Sequence, residues 1–235
     1  MKILYEGTLN HCKQQYKVLP LTIDHVKPIL TLQEIVIESL ENKDILQPLS
    51  LEEYQYILEG NGLMIGAFVE KQLIAFRALL VPPIDQDHLG WDLGLAEEDL
   101  ASVIYQEISN VHPAYRGNRL QQTLATLVMQ ELGKLNKTYE YICCTVAPFN
   151  IPSLKDKFNQ GMEIAAMKEK YGGQLRYIFV KKLEDDRNRD WTEIVTLQMG
   201  DTGGQQALLT EGWRGIQMRN HDGEYWVDYA DSSRI

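Results

Sequence analysis

Long apolar runs are missing from this sequence: none approaches the roughly 18 to 20 residues that a membrane helix requires. The first residues also lack the charged-then-apolar layout of a secretory leader. Both absences point to a cytoplasmic chain with no membrane partner. Cysteine is scarce. Cys12, Cys143 and Cys144 cannot all pair with one another, and neighbours in a strand point to opposite faces, so reduced, structural thiols are expected. His11, His25, His88, His112 and His221 show no ligand spacing, and no Cys-x-x-Cys or His-Glu-x-x-His is present, so no metal is expected. Positive charge is in deficit. With 23 Lys and Arg against 33 Asp and Glu, the net charge of -10 repels nucleic acid and favours a cationic substrate. No Gly-x-Gly-x-x-Gly follows a strand, which disfavours a nucleotide-binding oxidoreductase.

What is present is the composition of a globular domain: 44% apolar and 24% charged residues over 235 positions, enough for one sizeable core. An apolar stretch at 16–21 precedes a helical period at Ile29, Leu32, Ile35, Val36 and Leu40. Ser50 and Glu53 form the capping box of a second, shorter helix. Runs 63–69 and 73–81, with a tight turn near Glu70-Lys71, predict an antiparallel hairpin. After Pro82-Pro83 an acidic run with Asp85, Asp87, Asp92, Glu97, Glu98 and Asp99 reads either as a disordered surface loop or as a lid on the substrate side. Strand 103–111, an amphipathic helix over 118–136 and an almost wholly apolar strand over 139–146 form one crossover unit. A helix over 150–160 then leads to two strands around Gly172-Gly173, where a two-residue hairpin turn is expected.

Polar residues 184–189 read as a linker, so 1–183 are expected to form the main domain and 184–235 a carboxy-terminal extension docked on it. Strands over 191–197 and 213–229 flank a short helix over 205–209 in that extension. Trp191, Trp213, Trp226 and Tyr229 serve either to cover an edge of the main sheet or as the contact of a homodimer.

Chemistry concentrates where strand 103–111 turns into its helix. Arg116-Gly117-Asn118-Arg119-Leu120-Gln121 leaves backbone amides without intrahelical partners at the positive end of the helix dipole, a seat for phosphate. Gly117 lets the main chain approach a ligand, and Arg116 and Arg119 add charge-assisted donors. The longer segment from Val111, His112 and Pro113 through Gln121 resembles the motif of the GNAT N-acetyltransferase superfamily, in which a strand ending in Val-x-Pro is followed by Arg-Gly and a pyrophosphate-cradling helix. Val146-Ala147-Pro148-Phe149-Asn150-Ile151-Pro152-Ser153, and then Gly161-Met162, resembles the second signature of that superfamily, where an Asn opens a helix and a Gly closes it.

The order of elements over 16–183 agrees with the resemblance, which implies an α/β fold (α+β in some schemes). Its sheet would be mixed and mostly antiparallel, with a splayed parallel strand pair, and flanked by helices. Acetyl-CoA is implied as co-substrate. Its pyrophosphate would sit on Arg116, Gly117, Asn118, Arg119, Leu120 and Gln121, and its pantetheine would run along the backbone of Asn110 and Val111 between the splayed strands, with Asn150 and Ser153 completing the set. Arg119 and Gln121 depart from the pattern, because the family has small residues there; Arg119 is expected to point outward.

The same resemblance implies an N-acyltransferase in which a primary amine of a small molecule or a protein attacks the thioester directly. Glu107 is the candidate base and the amide of Val111 the candidate oxyanion donor. Many members carry an acidic Tyr seven residues after the Asn, and the count from Asn150 reaches Lys157, with Tyr171 or Tyr177 as alternatives. Asp85, Asp87 and Asp92 could attract a polyamine, an aminoglycoside or a peptide amino terminus. The missing Tyr and the altered glycine positions also suit a catalytically silent acyl-CoA-binding sensor or assembly module.

Overall fold

The computed structural model describes residues 2–183, 191 and 193–231. Along the chain they form β1 (Tyr5–Thr8), β2 (Gln15–Pro20), α1 (Val26–Glu38), α2 (Leu51–Tyr56), β3 (Gly62–Val69), β4 (Gln72–Leu80), α3 (Leu89–Asp92), β5 (Val103–Val111), α4 (Leu120–Leu132) and β6 (Tyr141–Val146). There follow α5 (Ile151–Asn159), β7 (Glu163–Lys170), β8 (Gln174–Lys182), β9 (Ile194–Gln198), α6 (Thr202–Thr210), β10 (Trp213–His221) and β11 (Glu224–Asp231). The chain divides into two units. The first holds the described residues up to Pro82 together with Ile104–Thr138, and the second holds Pro83–Val103 and the described residues from Tyr139 onward.

In the first unit, β1 to β5 pair in sequence order, all antiparallel. β3 and β4 are apolar almost throughout because both of their faces are covered. On one face, Ile29, Leu32 and Val36 recur at helical spacing along α1 and pack with Tyr54, Ile57, Phe76, Ala78 and Ile108. On the other lies α4, which buries Leu120, Leu124, Ala125, Val128 and Leu132. The α2 capping box forms as read: Glu53 N–H donates to Ser50 Oγ at 3.2 Å, and Ser50 N–H to the Glu53 carboxylate at 2.6 Å. Buried Gln33 fastens α1 to the approach of α2. Its carboxamide exchanges hydrogen bonds with the Leu49 backbone at 2.8 and 3.0 Å and accepts the Tyr54 hydroxyl at 2.6 Å. β1 went unforeseen. It is four residues long and mostly exposed, so it carries no buried alternation to read.

The second unit is also antiparallel, with strand order β6, β8, β7, β10, β11, β9. β10 joins β7 through Gly215 opposite Ile164, and a Cβ at Gly215 would stand 2.9 Å from the Ile164 side chain, so only glycine permits the approach. Residues of the extension therefore continue the sheet beyond β7.

Three expectations need correction. The turn after β7 has three residues, Tyr171, Gly172 and Gly173, all at positive φ, because Lys170 pairs directly with Gln174. The helix expected over 118–136 is Leu120–Leu132, since Gly133 closes it and Arg119 stands in the left-handed region at its start. The acidic run is not a structureless loop. It holds α3 and a 3-10 turn at Glu97–Ser102, and it buries Leu89 and Leu100. Asp92 pairs with Lys168 at 2.8 Å and Lys170 at 2.5 Å on β7, so its charge is committed within the fold and not offered to an acceptor.

Candidate functional site

β5 carries a bulge. Gln106 stands opposite Leu79 and Ile108 opposite Ala78, so Glu107 is the extra residue with no partner in the register. The bulge resets the alternation of faces. Gln106 lies on the α4 side, where its carboxamide accepts from the Arg77 guanidinium. Ile108 and then Asn110, opposite Phe76, lie on the side of α1 and α2. Glu107 is turned toward α2, where it feels both Tyr54 and Glu53. Loss of solvation, with Glu53 adding, pushes its carboxyl up to about 7. A carboxyl poised there can take a proton near neutral pH and give it up again.

Five residues after Glu107, just past the end of the strand, the His112 N–H donates to Ile74 O at 2.8 Å. Hydrogen-bonded and non-bonded positions alternate along an antiparallel pair, so Val111, opposite Ala75, directs its N–H and C=O away from β4.

Beyond Val111 the chain turns through Pro113–Tyr115 into α4, a helix of 13 residues with no side-chain cap at its start. Its first internal bond is Thr123 N–H to Arg119 O, so the amides of residues 120–122 lack intrahelical acceptors. Gly117 has φ +80°, and a Cβ there would stand 2.8 Å from His11 Nε2. Asn118 is buried and shapes the turn: its Oδ1 accepts His11 N–H at 3.2 Å and its Nδ2 donates to Tyr115 O at 3.0 Å. Exposed Arg116 donates to Ser39 Oγ, at the end of α1, at 2.8 Å. Leu120 is buried, and the Gln121 carbonyl accepts from Arg77 Nη1 at 3.5 Å. Arg77 is 1% exposed and sets a guanidinium beneath the first turn of α4. Sequence reading passed over it, although a lone Arg in the apolar run 73–81 was a signal.

Arg119 is exposed, with φ 59°. The resemblance asks for a small residue at this position, and the backbone supplies the reason: a left-handed residue strains any side chain but glycine. Arg119→Gly is expected to raise stability by up to about 1 kcal/mol, after glycine's greater unfolded entropy is offset, and urea denaturation will measure it.

The remaining predicted residues lie in the second unit. Asn150 caps α5, accepting Ser153 N–H at 3.3 Å. Lys157 is buried and paired with Asp156 at 3.2 Å. Tyr177 is fully buried and donates to Gln205 Oε1 at 2.7 Å. Tyr171 is 49% exposed, and its hydroxyl meets Thr145 Oγ1 at 2.9 Å.

The architecture is the GNAT N-acetyltransferase fold, a mostly antiparallel sheet flanked by helices. Among the solved structures that share it are the GNAT domain of S. lividans PAT, at 16% identity and TM-score 0.52, covering 75% of this chain and 96% of that one; the ribosomal-protein-S18-alanine N-acetyltransferase of Escherichia coli, at 12% and 0.54, covering 75% and 99%; and the NatC complex bound to Gag peptide and CoA, at 13% and 0.52, covering 72% and 98%. No family model and no curated protein matches the sequence.

Proposed function

We propose that the chain is an acyl-CoA-dependent N-acyltransferase, with acetyl-CoA as donor and a primary amine as acceptor. The observation that carries this reading is the bulged Glu107, raised to about 7 on the same strand that ends in an outward-turned Val111 amide. The residues of the turn fit a diphosphate: uncapped amides at the start of α4, Gly117 in a conformation that keeps side-chain atoms away, and Arg116 and Arg119 beside them.

When bound, acetyl-CoA supplies a thioester carbonyl and a thiol leaving group. Glu107 takes a proton from the acceptor's ammonium, freeing the lone pair that forms the C–N bond. The Val111 amide would donate to the carbonyl oxygen as negative charge develops there on attack; as that charge returns, the C–S bond breaks and the nitrogen gives its surplus proton to solvent. An unperturbed thiol has a pKa near 8.5, so the thiolate leaves without a dedicated acid and is protonated by solvent. Tyr177 and Lys157, committed to Gln205 and Asp156, are held in structural pairs.

Calorimetry with acetyl-CoA tests the phosphate seat. A dissociation constant in the micromolar range is expected, and Arg116→Glu should weaken it at least tenfold, about 1.4 kcal/mol. Arg116 is exposed, so the exchange leaves the fold intact. Equal affinity for both proteins would remove the assignment.

A further inference from the structure

Asn110 is 1% exposed, and among the described residues neither its Oδ1 nor its Nδ2 has a hydrogen-bond partner. Burying a carboxamide without partners is costly, and folded proteins rarely keep such a group without a use for it. An apolar residue would suit its surroundings. Opposite it is Phe76, whose ring meets Tyr54 edge-on, and its neighbour on the same face, Ile108, belongs to the apolar cluster under α1 and α2.

Position gives the use. The bulge places Asn110 on the face toward which Glu107 turns, although three residues of regular strand would have set them on opposite faces. Along β5, Asn110 falls between the candidate base and Val111. We propose that the Asn110 carboxamide is an acceptor-binding group: its Oδ1 accepts one N–H of the attacking amine while Glu107 removes the proton from the ammonium, which fixes the lone pair toward the thioester carbon. The acceptor class that fits is a primary alkylammonium: of its three N–H protons one goes to the carboxyl, one is lost to solvent as the C–S bond breaks, and one stays on the carboxamide into the product amide, which a secondary amine does not supply. Glu53, beside Glu107, adds to the negative potential that draws such a cation. This inference rests on the acyltransferase reading and adds to it a side chain that the resemblance used only for its backbone.

The experiment compares wild type, Asn110→Leu and Asn110→Ala in three measurements: acetyl-CoA affinity by calorimetry, thiol release with spermidine, kanamycin and an unblocked tripeptide, and stability by urea denaturation. Leucine removes the unpartnered amide at similar volume and alanine leaves room for the amine, so a loss common to both belongs to the hydrogen bond and not to crowding. Both variants are expected to bind acetyl-CoA within twofold of wild type and to lose 10- to 100-fold in kcat/KM for whichever amine the wild type accepts. The leucine variant is expected to be more stable than wild type. Retention of kcat/KM within twofold overturns the proposal and leaves the acyltransferase reading standing. A less stable leucine variant overturns it too, since the carboxamide would then be a structural group. Failure of the wild type to bind acetyl-CoA removes both.

Discussion

Glu107→Gln is expected to lower kcat/KM by about 10²- to 10⁴-fold, the usual worth of a positioned base, while making the protein more stable at pH 8. The first effect follows from chemistry: glutamine keeps the volume and cannot take the ammonium proton. Wild-type thiol release should rise with pH through a one-proton step near 7, because below it the carboxyl is already occupied. The variant should retain only the ionisation of the acceptor itself. The second effect follows from linkage. Burial raises the folded carboxyl above its unfolded value near 4.3, so the folded state holds this proton more tightly than the unfolded chain does. That contribution is fully present below the unfolded value and is lost as pH climbs through about 7. At pH 8 the wild type bears the cost of an ionised, poorly solvated carboxylate. Glutamine has no such cost, and a gain on the order of 1–3 kcal/mol is expected, shrinking toward zero as pH falls to about 4. A variant with full activity, or one destabilised at pH 8, would remove Glu107 as the base.

The two halves of that prediction differ in how far the sequence foretold them. Glu107 stood out as a carboxylate in the strand before the phosphate turn, and the turn itself was legible because Pro113, Gly117 and the apolar period of α4 punctuate the chain. The bulge was not legible. It exists only because Gln106 and Ile108 face consecutive residues of β4, which is a matter of pairing between strands and leaves no local pattern. The same holds for Asn110, which the pairing sets opposite Phe76 on the face of α1 and α2. The acidic run misled for a related reason. Charges counted along the chain suggest solvent, but Asp92 finds Lys168 at a separation of 76 residues. Hairpins and helix caps, by contrast, are written within a few residues: Ser50 with Glu53, and Asn150 with Ser153. Lys157 was reached by counting from Asn150, and counting cannot reveal that the ammonium is buried against Asp156.

Gln205→Leu is expected to cost about 2–5 kcal/mol of stability, because one buried carboxamide holds together three elements far apart in sequence. Gln205 is fully buried at the start of α6. Its Oε1 accepts the hydroxyls of Tyr177 on β8 and Tyr229 on β11, both at 2.7 Å. Its Nε2 donates to the carbonyls of Met199 at 2.9 Å and Asp201 at 3.1 Å. Burial pushes both phenols well above their ordinary value, so both remain neutral donors that need an acceptor. Leucine fills the space and strips that acceptor away, leaving two buried hydroxyls at about 1–3 kcal/mol each. Chemical denaturation should show a lower midpoint with an unchanged slope. The loss belongs to orphaned hydroxyls and not to packing, so Tyr177→Phe and Tyr229→Phe introduced together into the leucine variant should recover most of it. If the triple variant stays as unstable as the single one, the carboxamide contributes by filling volume. If it recovers, residues of the extension are bound into the core of the second unit by hydrogen bonds, with α6 tying β11 to β8 in the sheet that β10 and β11 continue.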